Sequence, residues 1–386
     1  MVNFREWGFQ PERLLEARMA RGYSQLELAR HLDVKRQSLS AYEKGLSQPK
    51  LELIEKASVI LDFAFDFFFV PTEKIDLDVI HFRRNKTARE KAYAALQVRL
   101  EWMARFFNFL REYIDFTPLD SLRKENETYD DGELEEIVVE ARRAWGLGLG
   151  PISNMAALLE NHGFLLAKFD VDLEKVDACS TTVVTQEGTR HFICLASRRS
   201  QIEKSAVRMR NDLAHEYGHF VLHSAFSKDY IQQNYDQVEH EAKYFASAFL
   251  LPQDSFVREA RFLTNVEDFL RLKERWKVSI QSMVYRCHQL GVISEYTYKY
   301  LQRQISAKGW RKQEPGDDIN EFPLEKTRTL GDALRLIVDN GITTPLKIQE
   351  TLGIPAEELA MMCEVDPGYF LPRPLSGKVI QLRHRI

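Results

Sequence analysis

Residues 211–223 read NDLAHEYGHFVLH, with two histidines four positions apart and a glutamate between them. On a helix, a spacing of four puts His215 and His219 on one face, one turn apart. Two imidazoles so placed can take two corners of a zinc tetrahedron. Glu216 beside them can accept a proton from a metal-bound water and later return it. The chemistry would be metal-assisted hydrolysis. The same residues also fit an ordinary buried helix, with Leu213, Ala214, Phe220 and Leu222 in a core and the histidines at its edge. Tyr217, two positions past His215, points away from the face the histidines share. Gly218 lacks a side chain and leaves room for a neighbouring strand or a substrate.

A catalytic zinc site takes three protein ligands and a water. A third histidine six residues past the second, the metzincin spacing, is not present: that position is Ala225. The candidates are His223, Glu239, His240 and Glu241. His223 continues along the same helix face, and three consecutive turns of a straight helix do not converge on one ion, so it belongs behind the ligands or against substrate. Glu239 opens EHEAKYFASAFLLP, where Ala242, Phe245, Ala246, Phe249 and Leu250 form an apolar helical stripe that Pro252 ends. A glutamate at the start of this second helix can reach the metal from the facing side, as in gluzincins. Glu241 is the reserve choice.

Other elements must carry these helices. Strand-like runs GFLLAKFD (163–170), STTVVTQ (180–186) and HFICLA (191–196) precede the histidine helix. A small sheet laid against a metal-bearing helix is how zincin peptidases form a substrate cleft. Cys179 and Cys194 fall in this strand region and read as buried core thiols.

The whole chain has 386 residues, 44% hydrophobic and 28% charged, with a formal net charge of −4. These values fit a soluble protein of two or three domains. They exclude a globally basic nucleic-acid coat but not a local basic face. The four cysteines are scattered without a C-x-x-C pair, which points to reduced thiols in the cytoplasm. The N-terminus lacks the apolar core of a signal peptide, and the run FAFDFFFVP is too short to span a bilayer. Composition shifts divide the chain at 1–70, 71–133, 134–310 and 324–386. Residues 83–115 read as one long helix, and polar stretches at 120–133 and 312–323 read as surface connections. The last segment carries helical apolar patterns at 330–338 and 345–352, which fit packing better than partner contact.

Four short helices can be read in residues 11–62. The first covers about 11–20. Ser24 caps the second, with Glu27 completing a capping box. A turn at Asp33 and Val34 leads to a third, from Lys35 to Lys44, closed by Gly45. Pro49 opens the fourth, with Leu51, Ile54, Ala57 and Leu61 facing inward. Basic residues in 1–50 number nine and acidic residues six. The stretches SQLELARHL and VKRQSLSAYEKG resemble the Cro and lambda-repressor type of helix-turn-helix domain, with Asp33 where that family has Gly and Lys35 where it often has Ser or Thr. The resemblance implies that Gln25 bonds a phosphate and that Lys35, Arg36, Gln37 and Ser40 face the major groove of a double-stranded operator, in a homodimer reading two half-sites. The basic run Arg83, Arg84, Lys86, Arg89 and Lys91 reads as a solvated helix face rather than a second DNA contact.

The segments LAHEYGHFVLH, WGLGLGPISNMAALLENHGF and the E-x-x-A-x-x-F-A-x-x-x-L-x-P pattern from Glu239 to Pro252 resemble the ImmA/IrrE family of metallopeptidases. The resemblance implies His215, His219 and Glu239 as Zn2+ ligands and Glu216 as the catalytic residue. Two positions depart from the family. Lys243 stands where Asn or Asp is usual, and Asn211 and Asp212 replace an apolar residue and Thr. The expected fold is therefore α+β, mainly α with a small β-sheet: a helix-turn-helix bundle followed by a zincin-like domain. The expected function is a cytoplasmic DNA-binding regulator that cleaves a partner regulator or repressor. The alternative is a sensor, or an antitoxin- or phage-defence-type regulator, whose peptidase fold binds metal or ligand without turnover.

Overall fold

The computed structural model describes residues 8–72, 75, 77, 89–170, 178–185, 188–197, 206–317 and 322–370. Arg83, Arg84 and Lys86 of the basic run, Gln186 of the second strand run and the end of the chain past 370 lie outside the described residues.

The fold is mostly helical with one three-stranded sheet. The N-terminal bundle comprises α1 (Pro11–Ala20), α2 (Gln25–Leu32), α3 (Arg36–Glu43) and α4 (Leu51–Leu61). Its turns form for the reasons read from the sequence. Ser24 Oγ accepts from the Glu27 backbone N–H, and the Glu27 carboxylate accepts from the Ser24 N–H. Asp33 takes the left-handed conformation (φ 59°) that ends α2 and sets the tight turn into α3. The boundaries differ slightly from expectation. Lys35 and Lys50 are extended N-caps, so α3 begins at Arg36, and α4 begins at Leu51 rather than at Pro49.

A long helix, α5 (Arg89–Leu110), follows; it ends at Leu110, short of the expected 115, and residues 83–88 of the pattern lie outside the described residues. Then come α6 (Asp131–Ala144), α7 (Met155–Asn161), β1 (Leu165–Asp170), β2 (Ala178–Thr185) and β3 (Gly188–Ser197). β3 is central, parallel to β1 and antiparallel to β2. Alternation along the strands sorts side chains to two faces. Leu165, Ala167, Phe169, Cys179, Phe192 and Cys194 join one core, and Phe164, Leu166, Ile193 and Leu195 join the other. Both cysteines are buried and free.

Beyond the sheet run α8 (Ala206–His223), α9 (Lys228–Gln233), α10 (Tyr235–Leu250), α11 (Gln253–Ala260), α12 (Phe269–Trp276), α13 (Ile280–Gln289) and α14 (Glu295–Ala307). All but α9 contribute to the core on the second face of the sheet with α6 and α7, while Ile231 of α9 packs against Val238 of α10. The C-terminal helices are α15 (Thr329–Asp339), α16 (Pro345–Leu352) and α17 (Ala356–Met362), the last not read from the sequence.

The C-terminal helices return to the first core. Leu334, Ile337, Ile348 and Leu359 pack in one apolar cluster with Leu14, Leu39 and Leu61 of the N-terminal bundle, with α5, and with the back of the sheet. Polar bonds reinforce this. The buried Arg13 guanidinium donates to Leu352 O at 3.0 Å, and Arg99 donates to Ala20 O and to Glu358, bridging bundle and tail. The polar stretch 312–323 is also not a simple surface connection: Glu314 and Asp317 pair with the buried Lys273 ammonium at 2.9 and 2.7 Å.

Candidate metal centre and nucleic-acid face

Helices α8 and α10 cross closely because position 218 is glycine. A Cβ there would sit 3.1 Å from both Ala242 O and the Phe245 ring. The element that exploits the missing side chain is thus the facing helix, not a strand or a substrate. Across it His223 meets Glu241, His219 meets Glu239, and Tyr217 meets Phe249.

This crossing brings His215, His219 and Glu239 together, all buried. His215 Nε2 and His219 Nε2 are 3.1 Å apart, and Glu239 Oε1 lies 3.8 and 3.4 Å from them. Two nitrogens each 2.0–2.1 Å from a tetrahedral zinc would be separated by about 3.3 Å. The three atoms therefore already approximate one face of a zinc tetrahedron, and the donor set of two imidazoles and a carboxylate suits that ion.

Protonation matches. Burial pushes the His219 imidazolium down to about 3, with His215 adding to the effect and Glu239 opposing it. Burial disfavours ionised Glu239, yet the hydrogen bonds from His215 and His219 outweigh it and hold its carboxyl well below the usual carboxylate range. Neutral imidazole and charged carboxylate are the forms that ligate metal.

Glu216 is buried on the sheet side of α8 and receives a hydrogen bond from Ser180 Oγ on the edge strand β2. Sequence reading placed a strand there but did not single out Ser180. The available signal was Ser180-Thr181-Thr182, a polar run inside a strand, all three buried. Tyr217 points away from the ligands, as expected. It stacks on Trp145 and its hydroxyl bonds Ser121 at 3.1 Å. The segment 120–130 is more than a surface loop. It straps α8 through Lys124 N–H to Val221 O, and its Tyr129 is buried. His240 is exposed on α10, and Glu241 turns inward to His223 rather than to the three converging atoms. Lys243 reaches Glu239 Oε2 at 3.3 Å while remaining half exposed.

The N-terminal bundle presents the other expected surface. Buried Leu39 anchors α3, leaving Lys35, Arg36 and Gln37 exposed and Ser40 half-buried. Gln25 is engaged within the bundle: its amide donates to Glu43 at 2.8 Å, and Glu43 is gripped by Arg18. The basic surplus is also redistributed. Arg13 is buried, Arg18 pairs with Glu43 and Arg21 bonds Leu61 O and Asp62, so among the described residues of 1–50 the exposed cations are Arg30, Lys35, Arg36, Lys44 and Lys50. Lys91 of α5 bonds Glu27 of α2. No helix among the described residues is long and apolar enough to cross a membrane.

Comparison with known proteins agrees with both halves. Residues 14–68 match the helix-turn-helix family, and residues 159–288 match the IrrE N-terminal-like domain of the M78 peptidase family. A relative in Bacillus subtilis (strain 168), named SPbeta prophage-derived uncharacterized HTH-type transcriptional regulator YonR, is 40% identical over 70 residues. That stretch is 18% of this chain and spans 65% of the relative's length. The chain thus carries a Cro/CI-type helix-turn-helix domain at its N-terminus, joined to a peptidase-family domain of the IrrE/ImmA type in its C-terminal part.

Proposed function

We propose that this protein is a DNA-binding regulator whose second domain is a zinc-dependent peptidase acting on a partner regulator or repressor. The observation that carries this reading is the convergence of His215 Nε2, His219 Nε2 and Glu239 Oε1, with Glu216 one residue from the first ligand. His215, His219 and Glu239 hold the ion. When bound there, zinc would supply Lewis-acid polarisation of the scissile carbonyl and a water whose pKa lies toward neutrality. Glu216 is the general base and then the proton donor to the leaving amine. Ser180 donates to Glu216 Oε2 and so aims its carboxylate. Gly218 sets the helix spacing that keeps Glu239 opposite the histidines.

The first domain binds an operator as a homodimer. Lys35, Arg36, Gln37 and Ser40 meet the major groove, and Gln25 offers a phosphate the amide hydrogen that Glu43 does not take. The activity is tested by incubating zinc-loaded protein with repressor proteins of the same genome and reading cleavage by mass spectrometry. A cut made by the wild type and not by Glu216→Gln supports the reading. Intact candidates throughout, with no change in regulation for Glu216→Gln, sink it.

Lys243 on Glu239 favours one second reading: a sensor in which metal or ligand occupancy shifts the DNA-binding domain without turnover. Normal regulation by Glu216→Gln, together with its loss in His219→Ala, would favour that reading.

A further inference from the structure

A second line of polar groups lies behind the three converging atoms. His219 Nδ1 is 3.1 Å from His223 Nδ1, and His223 Nε2 is 2.9 Å from Glu241 Oε2. Glu241 Oε1 accepts from the Tyr129 backbone N–H at 3.1 Å and from the Gln237 amide at 2.9 Å. His223 is fully buried and Glu241 is 2% exposed.

The proton positions along this line follow from one requirement. To ligate through Nε2, a neutral His219 must carry its hydrogen on Nδ1. That hydrogen points at His223 Nδ1, which must accept it. Neutral His223 therefore carries its own hydrogen on Nε2, the atom facing Glu241. Glu241 closes the line as an acceptor, with its other oxygen already taking two hydrogen bonds. No other arrangement of neutral tautomers satisfies both contacts and leaves His219 Nε2 with a lone pair.

A purely stitching role explains this poorly. The two helices are already held together by the close crossing at Gly218 and by Tyr217, Phe245 and Phe249. An apolar pair at 223 and 241 would join them without burying a carboxylate and an imidazole, whose desolvation is costly.

We propose that His223 and Glu241 are positioning residues that fix the tautomer of His219 and hold its Nε2 lone pair toward the metal. The proposal rests on the zinc reading above. It makes a buried His–Glu pair, one helix turn past the motif, part of the metal site. Through Tyr129 it also ties the 120–130 strap to metal affinity.

The test is a competition titration of zinc against a chromophoric chelator, using the full chain and checking the fold by circular dichroism. His223→Ala and Glu241→Gln are expected to keep a stoichiometry of one while weakening zinc by about 10–100-fold. His223→Asn places an acceptor near the position of Nδ1 and should stay within about fivefold of wild type, whereas His223→Gln should fall with alanine. A merely space-filling role would rank Gln above Asn. Affinities of His223→Ala and Glu241→Gln within twofold of wild type would overturn the proposal. If these variants do not fold, 15N-histidine NMR of the zinc-loaded wild type decides. A protonated Nε2 and bare Nδ1 on His223 are expected, and the opposite tautomer contradicts the proposal. A wild type that takes up no zinc removes the zinc reading first and this proposal with it, an outcome distinct from a zinc-binding protein indifferent to position 223.

Discussion

Glu239 has two neighbours of opposite kind: Oε1 faces both imidazoles and Oε2 meets the Lys243 ammonium. The residues around it have separable duties. Replacing Ser180 with alanine should lower the cleavage rate about tenfold with zinc content unchanged, a fraction of the 10²–10⁴ a general base contributes. A rate equal to wild type would remove Ser180 from the mechanism. The pH response has a definite sign. His219 is held near 3 by burial and Glu239 well below its ordinary value, so at pH 4 to 6.5 the unfolded metal-free chain binds more protons than the folded one. Stability contributed by both groups is present above the unfolded imidazole value and is lost as pH falls. The melting temperature of chelator-treated protein should therefore drop between pH 7 and pH 5, and an unchanged or rising value would contradict these protonation states. The pairing of His215 with His219 was legible because a four-residue spacing on a helix fixes their common face, and Glu216 because it stands next to the first of them. Ser180 was not, because the strand pairing that aims it depends on residues far away in sequence.

Elements place these residues, and the placement turns on small features. The α8–α10 crossing allows no Cβ at 218 without a shift of backbone Ala242 or the Phe245 ring. Gly218→Ala should cost about 1–3 kcal/mol, as overpacked cores do, and should weaken zinc by moving Glu239. Chemical denaturation and zinc titration read the two effects, and unchanged values in both would show that the crossing is slack. In the N-terminal bundle, Arg36→Ala on the exposed side of α3 should cost about 1–3 kcal/mol of specific operator binding. A loss equal on specific and random DNA would assign Arg36 to phosphate contact instead. Local signals worked well here. The Ser24–Glu27 capping box and the Asp33 turn were readable because their partners lie within a few residues. The role of Gly218 was only half legible, since its contact is a helix lying some twenty-five residues on.

At the scale of the molecule, the two cores share the sheet. Its one face meets α8 and the candidate metal centre, and its other face meets α5 and the C-terminal helices, which share a core with the helix-turn-helix bundle. Read along the chain, the apolar helical patterns at 330–338 and 345–352 fitted packing, but nothing local says what they pack against. In the fold, Leu334, Ile337 and Ile348 complete the same core as Leu14 and Leu39. Arg99 links these parts by donating to Ala20 O and pairing with the buried Glu358. Arg99→Ala should destabilise the protein by about 1–3 kcal/mol, because it removes the nearer of the two cations on buried Glu358, leaving Arg21 at 4.0 Å, and takes a donor from Ala20 O. A change under 1 kcal/mol in denaturant unfolding would show that the tail contributes little to the bundle.

The most direct test of the central claim is metal content by mass spectrometry on purified full-length protein, beside His219→Ala and Glu239→Ala. About one zinc per chain is expected, lost in both variants, as three protein ligands and a water require. A folded, DNA-binding wild type that holds no metal even after zinc is supplied would contradict it.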